Sequence, residues 1–371
     1  MKHQGLLTLT VTAALALGLS SCGSRKEQAA AEGDATATAA GQLLERLNAL
    51  KEKGTMLGHH DDPVYGHTWV GDSLRSDILE TAGAYPAMMS WDLGGLELGN
   101  DSNLDGVPFV RMREEIRRQD RRGGFNTFSW HLYSPVDSTD CWTIGDSLTV
   151  QKIINDDKVR ETFRSQLAGL ARFLNSLTDD EGNRIGVIFR PFHEHTGGWF
   201  WWGKNYNTPE EYKALWDMVR EEFTAQGVDN VAYAYSPDRF STEEQYLEYY
   251  PGDDMVDILG VDIYLFGGEE GLEDYKATTG NALSIVRRLS EDKGKIPAFT
   301  ETGSEGIPMT GWWNDDLLPL LKENPVSYVV LWRNAHDKPG HFYVPFAGHP
   351  SEEAFKTFCN DSTVLLINNL K

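Results

Sequence analysis

From about residue 42 to the C-terminus the chain alternates apolar extended runs with amphipathic runs of helical spacing, eight of each, and this alternation restricts the fold more than any other property. The extended runs span 54–59, 85–91, 124–131, 185–193, 231–236, 256–264, 296–300 and 326–332. Several are almost continuously apolar or β-branched, as in Ile185-Gly186-Val187-Ile188-Phe189 and Ser327-Tyr328-Val329-Val330-Leu331-Trp332. Strands covered on both faces of a parallel sheet read this way, because neither face meets water. Between them, Val159, Phe163, Leu167, Leu170, Leu174 and Leu177 hold one apolar stripe along a helix, and similar patterns cover 74–82, 107–122, 209–226, 242–249, 275–292, 313–323 and 351–358. Thr208-Pro209-Glu210-Glu211 adds an N-cap, a first-turn proline and two acids at the positive end of the helix dipole. Eight strands alternating with eight helices predict an α/β fold, a single (β/α)8 TIM barrel with enlarged βα loops, over 42–371. A doubly wound open sheet is the structural alternative, but no second-domain linker or internal repeat accompanies it.

The segment before the barrel is of another kind. Lys2 and His3 precede an uncharged, mostly apolar stretch over 4–19, shorter than the run of about 20 apolar residues that a spanning helix needs, so it reads as an export signal. Leu19-Ser20-Ser21-Cys22 then resembles the lipobox of bacterial lipoproteins. That resemblance implies a signal peptide over 1–21, lipid attachment at Cys22 and, over 22–41, a flexible tether of Ala, Thr, Gly, Glu and Lys without large apolar residues. The expected location is the outer membrane, held through the lipid alone. The periplasmic face is favoured over the cell surface, because Gly23-Ser24-Arg25-Lys26-Glu27 lacks the acidic cluster that accompanies surface export.

Charge narrows the partners. With 34 Lys and Arg against 56 Asp and Glu, the net charge of −22 argues against nucleic acid or anionic lipid, which demand clustered positive charge, and suits a neutral or cationic substrate. Beyond Cys22 only Cys141 and Cys359 remain, so at most one disulfide can form.

Barrels of this kind carry their chemistry at the carboxyl ends of the strands. Those ends deliver His59, His60 and Asp61; Trp91 and Asp92; Trp130 and His131; His193, Glu194 and His195; Ser236 and Asp238; Asp262 and Tyr264; Glu301; and Trp332 and Arg333. Of the 11 tryptophans, all but Trp216 fall on this rim or in the loop or first helical turn that follows. Such a concentration predicts a cleft in which sugars stack on aromatic faces. Glu194 and Glu301 each end a buried strand, where restricted water access perturbs a carboxyl group. A pair of such groups suits glycoside cleavage, one protonating the leaving oxygen and the other attacking or activating water.

Rival chemistries fit the residues less well. His193 and His195 are two apart on a strand and point to opposite faces, whereas a zincin needs histidines four apart on a helix. His59-His60-Asp61-Asp62 is the better metal candidate. Nucleophile-elbow, dinucleotide and phosphate-loop motifs are absent from the sequence, so neither a cofactor nor a metal is expected.

Arg190-Pro191-Phe192-His193-Glu194, followed by Gly197-Gly198-Trp199-Phe200-Trp201-Trp202-Gly203, resembles the acid/base signature of glycoside hydrolase family 26, a mainly β-mannanase family of retaining barrels. The resemblance continues through Gly58-His59-His60-Asp61, Ser129-Trp130-His131, Val261-Asp262-Ile263-Tyr264, Thr300-Glu301-Thr302-Gly303 and Leu331-Trp332-Arg333-Asn334. It implies that Glu194 is the acid/base and Glu301 the nucleophile. It also implies that His193 orients or hydrogen-bonds the nucleophile region and Tyr264 hydrogen-bonds the nucleophile, while His131, Trp199 and Trp332, with Trp142 as a neighbour, line the subsite of the reacting sugar. His195-Thr196 departs from the Met-Asn of many relatives.

The implied reaction is double-displacement hydrolysis of β-1,4-mannosidic linkages in mannan or galactomannan by a monomer, with endo cutting and mannobiose release both open. The same chemistry on β-1,3-xylan or β-glucan is the nearest alternative. A non-catalytic lipoprotein that captures glycans is the more distant one.

Overall fold

A computed structural model of the chain describes residues 38–72 and 74–371. The expected signal peptide, Cys22 and most of the expected tether lie outside the described residues. Eight staves form the barrel: β1 (Thr55–His60), β2 (Met88–Asp92), β3 (Phe125–Ser129), β4 (Val187–Arg190), β5 (Val231–Tyr235), β6 (Ile258–Leu259, then Asp262–Leu265), β7 (Ile296–Pro297, then Phe299–Ser304) and β8 (Tyr328–Leu331). Each pairs in parallel with the next, and β8 returns to β1 with Met56 opposite Tyr328 and His59 opposite Leu331. The sheet is therefore closed. All eight expected strands are present. The fourth stops at Arg190 rather than running to residue 193, because Pro191 and two left-handed residues turn the chain upward there.

The helices pack outside. They include α2 (Asp77–Ala82), α3 (Phe109–Arg121), α4 (Thr149–Asn155), α5 (Asp157–Asn175), α6 (Pro209–Ala225), α7 (Glu243–Leu247), α8 (Leu272–Lys293), α9 (Leu318–Glu323) and α10 (Glu352–Cys359). On α5 the buried residues Phe163, Leu167, Leu170 and Leu174 form the stripe the spacing predicts. On α6 the Thr208 side chain accepts from the Glu211 N–H while Glu211 reaches back to the Thr208 N–H, a reciprocal cap that satisfies two backbone donors.

Two helices fall outside the alternation, α4 in the loop after β3 and another ahead of β1. α1 (Ala39–Lys51) begins under a Thr38 cap, so the last residues of the expected tether, Ala39 to Gly41, are helical. Its Leu43, Leu47 and Leu50 plug the amino-terminal pole of the barrel, packing on Met56, Met88, Phe125, Ile188, Ala232 and Ile258. No described helix is long and apolar enough to cross a membrane. With one pole sealed by α1, the other receives the long loops, among them the hairpin Tyr65–Gly66 with Trp69–Val70.

Candidate active site

Glu194 stands on a strained turn above β4. Phe192 and Glu194 both have φ of 53°, a left-handed conformation that costs a side-chain-bearing residue roughly 1–2 kcal/mol. Packing and hydrogen bonds hold it. The Phe192 ring sits among Trp130, Trp202, Tyr212 and Trp216, and the Tyr212 hydroxyl donates to the Phe192 carbonyl at 2.9 Å. The Glu194 N–H donates to the Ser236 carbonyl at 2.8 Å, and its own carbonyl accepts from Gly197. Gly197 is required for another reason: a Cβ there would lie 2.4 Å from the Trp199 ring. The indole thereby lies close enough for its Nε1–H to donate to Glu194 Oε2 at 2.8 Å. Burial, then the charges of Glu301, Asp262 and Asp238, push the Glu194 carboxyl well above its usual range, and the Trp199 bond only partly opposes them.

Glu301 reaches the rim differently. Between Phe299 and Thr302 the β7–β8 register slips, since Phe299 faces Val329 while Thr302 faces Leu331. The extra residue bulges the strand where Glu301 sits, a device that re-aims a side chain. The carboxylate is 3 % exposed, with the Arg190 guanidinium ion-paired to Oε1 and the Tyr264 hydroxyl donating to Oε2 at 2.7 Å. Arg190 also reaches Asp262 at 2.7 Å and Ser236 at 3.0 Å, so its buried charge is fully engaged. Arg190 and Tyr264 between them engage both oxygens of Glu301, while burial and the neighbouring acids push Glu194 toward its protonated form. Such a division fits an acid and a nucleophile.

Because Glu194 follows β4 and Glu301 lies in β7, the pair divides the rim into a short arc over β5 and β6 and a long arc over β8, β1, β2 and β3. One cavity of about 470 Å³ spans the divide. Both glutamates line it together with His131, Trp142, Trp199, Tyr264 and Trp332. Every expected site residue on the barrel is there except His193, which lies behind His131 with the two Nε2 atoms 3.2 Å apart. Among the described residues, the hydrogen-bond partners of Glu301 are Arg190 and Tyr264. Trp332 is backed by His60, the rings stacked at 4.0 Å. Trp142, half exposed, stacks on His131 at 5.2 Å. On the short arc the cavity adds Asp238, Arg239 and Phe266, which the sequence had not singled out as substrate contacts. On the long arc, beyond His131, Trp142 and Trp332, a second hollow of about 660 Å³ is lined by Asp105, Asp140, Arg333, His336 and Lys338. Two larger hollows, about 700 and 750 Å³, open at the opposite pole and hold none of the strand-end residues.

Of His59-His60-Asp61-Asp62, only His60 and Asp61 converge, joined by Asp105 with ligand atoms within 4.8 Å of one another. Each already has a partner: Ser90 for His60, Tyr65 for Asp61 and the Arg333 guanidinium, at 2.8 Å, for Asp105. A cation there would compete with Arg333. His195 is buried among Tyr212, Tyr235 and Tyr249, so the departure from the Met-Asn pattern is absorbed behind the cleft. Cys141 and Cys359 are both buried thiols and do not pair.

Known proteins share this architecture. A family 26 β-mannanase from Bacteroides ovatus superposes with a TM-score of 0.86 at 42 % identity, covering 89 % of this chain and 95 % of that one. A mannan endo-1,4-beta-mannosidase from Bacillus subtilis is 33 % identical over 273 residues, 70 % of this chain and 74 % of that protein. One from Bifidobacterium adolescentis is 30 % identical over 322 residues; the match takes in 79 % of this chain but spans only 31 % of that longer enzyme. Residues 32–317 match the sequence profile of Glycosyl hydrolase family 26, and the chain belongs to that family.

Proposed function

We propose that the protein is a retaining endo-β-1,4-mannanase that acts on mannan or galactomannan. Glu194 protonates the glycosidic oxygen as the Glu301 carboxylate attacks the anomeric carbon, giving a glycosyl ester on Glu301 and a free reducing-end fragment. Glu194, now ionised, takes a proton from water, which attacks the same carbon and releases the sugar with its original configuration. The observation that carries this reading is the opposed electrostatics of two carboxyls lining one aromatic cavity: Glu194 pushed toward its protonated form and Glu301 charge-paired with Arg190. His131, Trp142, Trp199 and Trp332 supply stacking and polar contacts to the sugars, with His193 acting on them through His131. The cavity walls favour internal cutting, because Trp142, Trp199 and Phe266 are 50 %, 41 % and 66 % exposed along an open cleft. The relatives named as mannanases support the substrate.

The proposed setting is the periplasmic face of the outer membrane, with lipid on Cys22. α1 closes the pole opposite the cleft, so a chain entering at Thr38 leaves the catalytic rim facing away from its anchor. Two measurements test the reading. Reducing ends should appear on mannan and galactomannan and not on β-1,3-xylan or mixed β-glucan, and Glu301→Gln should lose at least about 10³-fold in turnover; preference for a xylan or glucan would overturn the substrate. Cys22→Ala should move the protein from the detergent to the aqueous phase on partitioning, and an unchanged distribution would remove the lipid.

A further inference from the structure

Asp92 ends β2 beneath the cleft and is wholly buried. Four donors converge on it. Oδ1 accepts the N–H of Gly94 at 2.6 Å and of His131 at 3.3 Å. Oδ2 accepts the Ser129 hydroxyl at 2.6 Å and His131 Nδ1 at 2.7 Å. A carboxyl so surrounded has no donor role left and is an anion, and a buried anion demands a nearby counter-charge. Among the described residues, the one ionisable group in hydrogen-bond contact with it is His131. His131 in turn lines the cavity of both glutamates and the hollow beyond it.

We propose that Asp92 is a positioning residue for the reaction. It fixes the His131 ring with Nδ1–H turned into the barrel, keeps the ring an imidazolium and so holds its Nε2–H ready for a hydroxyl of the reacting sugar. In this structure that proton is given to His193 Nε2, 3.2 Å away. The groups facing His131 from the surrounding elements agree with this arrangement. Burial alone would lower its pKa, but Asp92, by charge and hydrogen bond, with Glu301 and Asp105, raises it above the usual histidine range. His193 is driven well below that range by burial and by the charges of Arg190, His131 and His60, which leaves it a neutral acceptor. Without the Asp92 charge an imidazole at this site could adopt either tautomer, and only one offers a donor to the sugar.

This inference rests on the mannanase reading for its kinetic consequence and on the geometry alone for its spectroscopic one. With 2,4-dinitrophenyl β-mannobioside the leaving group departs without help, so the ionisation of Glu194 drops out of kcat/KM and the alkaline limb reports His131. Asp92→Asn should lower kcat/KM by about tenfold or more and move that limb to lower pH by about 1–3 units. In a His131→Gln background, Asp92→Asn should add little further loss and no shift. An unmoved limb, or losses that simply multiply in the double variant, would show that Asp92 only supports the fold. The second readout needs no substrate. In ¹⁵N-histidine NMR titrations of the full chain, the His131 resonance should stay protonated at Nδ1 throughout and titrate at lower pH in Asp92→Asn. A His131 that titrates identically in both proteins overturns the proposal whatever the substrate proves to be.

Discussion

Glu194 carries its proton against one opposing contact, the indole N–H of Trp199 at 2.8 Å. That donor stabilises the ionised carboxylate, so removing it must raise the pKa further. Trp199→Phe should therefore extend the alkaline limb of activity on mannotetraose to higher pH, while slowing the second step, in which Glu194 must act as a base. A limb that moves the other way would contradict the assignment. The two glutamates were legible in sequence because each follows a strand too apolar to place an acid in water by accident. Arg190 stood in the same motif, yet its partner Glu301 lies 111 residues away, and no local pattern names it. The general signal was present: a charge inside a buried strand demands a counter-charge. Phe266 had no such signal, because exposure in a loop leaves no mark on periodicity.

At the level of elements, the alternation found every stave and missed how two of them end. The turn above β4 and the bulge in β7 place Glu194 and Glu301, and both depend on contacts with neighbouring strands that only the closed barrel provides. α1 was missed for the opposite reason. It follows no strand, although Leu43, Leu47 and Leu50 keep helical spacing behind the Thr38 cap. Because α1 seals the pole away from the cleft, its packing should matter to stability and not to chemistry. Leu47, fully buried, tests this: Leu47→Ala should cost about 2–5 kcal/mol in thermal or denaturant unfolding and leave kcat at 25 °C unchanged. A stability loss within experimental scatter would mean that α1 merely rests on the barrel.

Taken whole, the molecule is a barrel with one pole closed by its own first helix and the other opened into a cleft about two hollows long. Loops that follow β2, β3 and β8 wall the long arc without capping its exposed Trp142, so a polymer can lie across the rim. Galactomannan viscosity should then fall well before reducing ends accumulate. A rise in mannobiose with viscosity preserved would indicate cutting from chain ends.

In the proposed reaction Glu301 becomes covalently bonded to the sugar. Incubation with 2-deoxy-2-fluoro-β-mannobiosyl fluoride slows breakdown of the glycosyl-enzyme, and peptide mass spectrometry then locates the sugar. One label is expected, on the peptide containing Glu301, and none on Glu301→Gln. A label on another residue, or unlabelled enzyme that releases the α-anomer, would contradict it.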